Sequence, residues 1–436
     1  MVERARMTNP TVIDHVTCLG CGCACDDIGV VVRDGRIVDT RNTCQLGLSW
    51  FGDGQVTTAC RAGDRDVALR EAIRLAATSL HEAQRPLVYL TTALSCESQR
   101  AAVAVADVAG ARLDSITSAT VAEFVLASQE RGWASATFGE VRNRADVVVF
   151  WGVDIEGRYP RFPSRYAPGP VGTQVPHGRA SRTVIAVDVG DARATADADE
   201  HVAVAPADEL ATLTAIESLV RSPAAAPPHS EPTGASWFTA REILPRLLAA
   251  RYLAIVYDAE PDDRASRTPA RFHALASLAQ TLNQRTRCAG IALRAGGNRP
   301  GADSVLVAQT GYPFAVDFAR GHPRYDPHSA SALALLRRAD ADVVLIVGDP
   351  SLVPRDIAQA LADVRCVLIG PGASGSPLGA SRVVIDTGID GVHVGGTALR
   401  ADDVPVPLRM SVPGPPSAAA VVTAVATAVL QLQRGA

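Results

Sequence analysis

Short apolar runs recur along this chain, and the intervals between them carry apolar positions three and four residues apart. The runs are 86–91, 144–154, 182–188, 252–257, 288–293, 339–349, 366–370 and 383–386, with a shorter alternating one at 201–205. A strand apolar on both faces is what a buried parallel sheet requires, because helices cover it from both sides. Helical spacing fills the intervals. In 65–83 the apolar members are Val67, Leu69, Ile73, Leu75, Ala76 and Leu80. Further helices are predicted over 98–109, 209–219, 237–250, 272–282, 357–361 and 418–432. Strand alternating with helix predicts an α/β protein with doubly wound parallel sheets.

The stretch 144–154 is repeated almost residue for residue at 339–349, both containing Ala-Asp-Val-Val. Two related units follow from that recurrence. The expected limits are a first unit of 63–140 with 331–436, a second of 141–330, and a small cysteine-rich region over 1–62. Stretches 159–176, 221–234 and the segment after Gly296-Gly297 are rich in Pro and Gly and read as irregular. Ligands of such sheets bind beyond the carboxyl ends of the strands. Gly152, Asp154, Asp188, Gly348 and Asp349 fall there.

Charge narrows the partners. The formal net charge is −4, so there is no basic footprint for nucleic acid. All 42 basic residues are arginine, which excludes Schiff-base and P-loop lysines. Residues 1–11 are polar, and no run of about 18 apolar residues predicts a membrane span. A cytoplasmic location with reduced thiols is expected.

Five of nine cysteines lie within the first 44 residues, where Cys18, Cys21 and Cys25 form C-x2-C-x3-C and Cys44 follows. Between them, Asp34-Gly35 separates two apolar runs and predicts a hairpin that returns Cys44 toward the other three. Four thiolates suit tetrahedral zinc or a four-iron cluster. Zinc ribbons more often pair two C-x2-C knuckles, which favours iron–sulfur; a metal-free group of structural thiols is the plain alternative. Residues 48–51, with Trp50 and Phe51, read as a lid over the site. Cys60, Cys96, Cys288 and Cys366 are scattered and read as packing residues. No histidine-rich metal motif and no G-x-S-x-G elbow occurs. The glycine-rich stretch 370–379 lacks the P-loop ending; its amides suit an oxyanion, although a plain connection is the commoner use of such a stretch.

Several stretches together resemble the B subunit of formylmethanofuran dehydrogenase, in the molybdopterin oxidoreductase family. They are Cys18 to Ile28, Asn42-x-Cys44-x-x-Gly47 with Phe51, 137–152, 311–318, 323–327 and 396–400. The resemblance implies two Rossmann-like doubly wound domains plus a small N-terminal iron–sulfur domain. It implies a [4Fe-4S] cluster on Cys18, Cys21, Cys25 and Cys44. It places a tungsto- or molybdopterin in a crevice to which Gly152, Asp154, Asp188, Gly348 and Asp349 are assigned. The family's metal-ligating cysteine follows the aspartate matching Asp114, and Thr120 or Ala119 stands there in this chain. A family histidine shortly after the arginine matching Arg294 is replaced by Ala295-Gly296-Gly297-Asn298. A hydroxyl does not replace a soft thiolate. The resemblance therefore points to the bacterial relative, the B subunit of the formyltransferase/hydrolase complex. That is a scaffold without tungsto- or molybdopterin, held in a complex with the other subunits; a working redox subunit interconverting carbon dioxide and formate is the alternative.

Overall fold

The apolar runs form the strands expected of them. The computed structural model describes residues 9–192, 195–227, 234–261, 267–379 and 381–435. The chain divides into two units, residues 1–120 with 296–436 and residues 121–295.

The first unit contains a nine-stranded sheet with five parallel strands at its centre, in the order Arg112–Ser115, Pro86–Leu90, Val343–Val347, Arg365–Gly370 and Ser381–Asp386. Its first strand in sequence lies second in space, so the winding reverses between Pro86–Leu90 and Val343–Val347. Alternate residues explain why these strands read as continuously apolar. Val343, Leu345 and Val347 pack with Ala76, Leu80, Ala102, Val105, Val422 and Val425 of three helices. Val344 and Ile346 face the other way, toward Leu335, Ile357 and Leu361. Each fully buried Val, Leu or Ile among them stabilises the unit by about 1.5–3 kcal/mol relative to exposure. Helix Ala418–Gly435 is the one described helix apolar and long enough to cross a membrane. It packs on helices Leu69–Glu82 and Cys96–Ala109 instead.

The second unit holds a wholly parallel sheet in the order Glu200–Val204, Thr183–Val189, Val147–Trp151, Tyr252–Asp258 and Arg287–Leu293. Helices Glu209–Arg221, Ala235–Ala249 and Pro269–Leu282 cover it. The repeated Ala-Asp-Val-Val has the same function in both units. Asp146 Oδ1 accepts the N–H of Tyr252 at 2.8 Å, and its carboxylate also takes Arg251 N–H. Asp342 accepts the N–H groups of Gln84 and Arg85 at 2.8 and 3.0 Å. In each unit an aspartate at the foot of the central strand satisfies amides where a parallel neighbour begins.

Three expectations change. The stretch after Gly296-Gly297 is not irregular throughout, since Arg299–Thr310 is a helix with Pro300 in its first turn. Gly301 allows Asn298 to lie against that turn, where a Cβ would meet Asn298 Cγ at 2.6 Å. The unit limits fall at 120/121 and 295/296 rather than 140/141 and 330/331. The cause is packing. Helix Ala122–Arg131 places Phe124 against Trp133, Tyr257 and Phe272 of the second unit, while Arg299–Thr310 packs on Cys96–Ala109. The cysteine-rich region, expected as a separate domain, clusters with the first unit. Cys60–Ala62 extends the large sheet beside Ser381–Asp386, Thr17 Oγ1 donates to Pro407 O, and His393 Nε2 lies 2.9 Å from Gly54 O. Of the expected excursion at 221–234, residues 228–233 lie outside the described residues.

Candidate functional site

The predicted hairpin forms. Ile28–Arg33 pairs antiparallel with Arg36–Arg41, and both Asp34 and Gly35 have positive φ (50° and 74°), as the tight turn demands. Asn42, also at positive φ, donates to Asp27 O and turns the chain back. Cys44 then caps helix Gln45–Phe51. Cys18, Cys21 and Cys25, with Cys23 between the last two, lie on a loop closed by Cys18 N–H to Cys25 O at 2.9 Å and Ala24 N–H to Cys21 O at 3.2 Å. Gly20 N–H donates to Cys18 Sγ at 3.3 Å. Two glycines make room beside that sulfur: a Cβ at Gly20 or Gly47 would lie 3.4 or 3.2 Å from it. Trp50 packs, partly buried, against the apolar cluster that contains Leu19 and Ala24.

Burial pushes the Cys18 thiol far above its usual range; the Gly20 amide opposes this, and Cys21, Cys25 and Cys44 push it further. A bound cation reverses that electrostatic balance and deprotonates its thiols. Among the described residues, no group of three or more Cys, His, Asp or Glu side chains is placed to hold a metal ion. Four thiols suit a thiolate-bound iron cluster in chemical kind; their placement here is not a ligand set. None of the nine cysteines forms a disulfide.

Thr120 ends a short helix, Thr117–Thr120. Its hydroxyl donates to Ile116 O at 3.0 Å and accepts from Arg299 Nη1 at 3.1 Å. Arg299 also donates through Nε to Gly296 O at 3.1 Å. Thr117 Oγ1 lies 2.5 Å from Asp303 Oδ1. Both partners come from helix Arg299–Thr310, so that helix holds the loop from two points. No local sequence pattern marks Arg299 or Asp303; the pairing joins residues more than 170 apart.

Asp114, just before this loop, is fully buried and ties three segments together. Oδ1 accepts Ala315 N–H at 3.1 Å, while Oδ2 accepts Ala332 N–H and the Ser118 hydroxyl, each at 2.6 Å. Burial raises its pKa to about 6, against the opposing pull of those donors. The shift has a definite sign. A folded-state pKa above the unfolded value gives a contribution fully present below about pH 4 and lost as pH rises through 6, roughly 3 kcal/mol in all. Urea denaturation at pH 5 and 7 should show this slope, and Asp114→Asn should remove it.

The remaining crevice candidates separate. Gly348 follows Val343–Val347 with φ 103°, and the loop after Pro86–Leu90 lies against it, Thr92 O being 3.2 Å from a Cβ built there. At Gly348, therefore, that carboxyl edge is occupied by its own chain. Asp349 Oδ1 accepts Ser351 N–H at 2.8 Å. The glycine-rich stretch 370–379 offers no free cradle at Ser374, whose N–H and hydroxyl both donate to Asp386, at 2.8 and 2.7 Å.

In the second unit, Gly152 and Asp154 line a cavity of about 330 Å³ beyond the carboxyl ends of the strands, with Arg158, Val189, Asp258 and Arg271. Gly152 needs its φ of 53°, and a Cβ there would meet Arg271 Nη2 at 3.2 Å. Asp188 is not in the lining; it lies on Thr183–Val189 with His201 at 3.9 Å. The arginines here pair with carboxylates of the same unit. Arg271 Nε meets Glu209 at 2.9 Å, Arg158 Nε meets Asp258 at 2.6 Å, and Arg294 pairs with Glu260. Asp154 spends one oxygen on Gly157 N–H. A bound phosphate therefore has to compete with carboxylates already in place.

Comparison with known proteins decides the family. The B subunit of a tungsten-containing formylmethanofuran dehydrogenase 2 from Methanocaldococcus jannaschii is 31% identical over 430 residues, covering 93% of this chain and 94% of the relative. The chain belongs to the family of formylmethanofuran dehydrogenase B subunits. The corresponding protein of Methanococcus maripaludis is 29% identical over 93% of this chain and 95% of its own. Among solved structures, a chain of the formyltransferase/hydrolase complex from Methylorubrum extorquens, determined with methylofuran, superposes with a TM-score of 0.70 at 22% identity. The match covers 86% of this family member and all of that chain, and establishes likeness of fold. No family model matches the chain.

Proposed function

We propose that this chain is the B-type scaffold of a complex that transfers and hydrolyses formyl groups in one-carbon metabolism. In this reading it holds an N-terminal iron–sulfur cluster and no tungsten or molybdenum. Two observations support it. The chain shares family and length with the B subunits of formylmethanofuran dehydrogenases, and fold with a chain of the formyltransferase/hydrolase complex. The observation that carries the absence of heavy metal is Thr120. Its oxygen is a hard donor already engaged by Ile116 and Arg299, where the relatives' metal calls for a soft sulfur.

Cys18, Cys21, Cys25 and Cys44 would hold the cluster, which supplies one-electron chemistry or a structural cross-link when bound. The retained cysteine set is also what favours the second reading, a redox subunit. Co-expression of the tagged chain with formyltransferase and amidohydrolase subunits tests the scaffold. A stable stoichiometric complex is expected, and a chain that elutes alone overturns it. Replacing Cys25 by Ser should unload iron from that complex while leaving both sheets folded; circular dichroism and iron assay check the two halves.

A further inference from the structure

We propose that the Gly296–Gly297 turn is the seat of the cysteine loop, so that residues nearly 280 positions away position the sulfurs. This rests on the cysteine loop being the metal-holding element of the proposed function, and it concerns only what holds that loop.

The geometry is a backbone clamp. Gly297 N–H donates to Leu19 O at 2.9 Å, and Gly297 O accepts Ala93 N–H at 2.7 Å. One residue therefore joins the loop between Cys18 and Cys21 to the carboxyl end of Pro86–Leu90, the strand at the winding reversal. The approach is too close for side chains. A Cβ on Gly296 would meet Leu19 O and sit 2.7 Å from Gly20 C. On Gly297, at φ 88°, it would sit 2.5 Å from Thr92 Cβ. Real Cβ atoms do not tolerate such contacts with backbone, so any residue but glycine at 296 must push the loop away. On its other side the loop is held by Leu19, 2% exposed, among Ala398, Val406 and Leu408, and by Ala401 N–H to Gly22 O at 3.0 Å. Cys18 and Cys25 are buried, at 6% and 5% exposure, because both sides hold.

The test is thiol alkylation by N-ethylmaleimide on the native full chain, read peptide by peptide. Gly296→Ala should expose Cys18 and Cys25 on the order of tenfold faster, while Cys288 and Cys366 inside the sheets keep their wild-type rates. Gly375→Ala, whose Cβ meets nothing within 4 Å, should change none of the four. Unaltered Cys18 and Cys25 rates in Gly296→Ala overturn the proposal. A second measurement needs no variant, should Gly296→Ala not fold. In wild-type chain under increasing urea, amide exchange of Gly297 and alkylation of Cys18 should open at one denaturant concentration, below that for Cys288. Cys18 reacting while Gly297 N–H stays protected also overturns it. Iron assayed alongside separates the two readings: a chain that takes up no iron yet shows the shared opening loses the cluster and keeps the clamp.

Discussion

Replacing Glu209 by Ala is expected to destabilise the second unit by about 3–5 kcal/mol. Glu209 is buried and accepts from a guanidinium and an indole of the same unit. Arg271 Nε reaches both of its oxygens, at 2.9 and 3.1 Å, and Trp151 Nε1 donates at 2.9 Å. Side-chain exposure is 3% for Arg271 and 7% for Glu209, so water cannot take over. The variant leaves a guanidinium and an indole N–H buried beside the cavity that Gly152 and Asp154 line. For a unit of this size the loss corresponds to a midpoint lower by roughly 6–20 °C. Calorimetry should show it as a shift of one transition, with the first unit's transition unmoved. Glu209→Gln keeps an acceptor for Trp151 and should lose less.

Arg182→Met should have a comparable effect for a different reason. Arg182 is 5% exposed, and its guanidinium donates to backbone carbonyls: Nε to Ala145 O, Nη1 to Pro168 O and Pro170 O, and Nη2 to Arg142 O. Burial lowers its pKa, and the neighbouring charge of Arg142 lowers it further. Four carbonyls depend on one guanidinium that fastens the Pro- and Gly-rich stretch 159–176 to the strands. Methionine fills the volume and leaves those carbonyls without that donor, at a cost of about 3 kcal/mol or more. Limited proteolysis should then cut within 159–176 before either sheet opens. Cleavage first elsewhere would mean the guanidinium does not hold that stretch.

Both side chains illustrate what a single sequence can and cannot disclose. The parallel strands were legible because burial on two faces writes a continuous apolar run. The repeated Ala-Asp-Val-Val was legible as a recurrence, and its cause is now visible in Asp146 and Asp342, which serve neighbouring strands alike. The hairpin that returns Cys44 was written in Asp34-Gly35. Long-range polar pairings leave no local mark. Glu209 with Arg271, Thr120 with Arg299 and Arg182 with its carbonyls each depend on segments brought together by folding. Glycine misled in one place, because Gly301 signalled an irregular loop where it serves close packing at the start of helix Arg299–Thr310. No local pattern attaches helix Ala122–Arg131 to the second sheet; Phe124 packs there on Trp133 and Phe272, and Ala127 joins the same core.

The proposed function carries one chemical tension, a cysteine set that is kept beside a heavy-metal ligand that is lost. If Thr120 has replaced a metal thiolate, the loop around it is held by Arg299 and Asp303 and needs no ion to fix it. The Cys18 sulfur, in contrast, is buried and accepts one backbone amide, that of Gly20.

Elemental analysis of the assembled, anaerobically purified complex tests this division most directly, with an electron paramagnetic resonance spectrum recorded after reduction. The account predicts about four iron atoms per chain, a cluster signal on reduction, and no tungsten or molybdenum. Stoichiometric tungsten or molybdenum with bound pterin would contradict it.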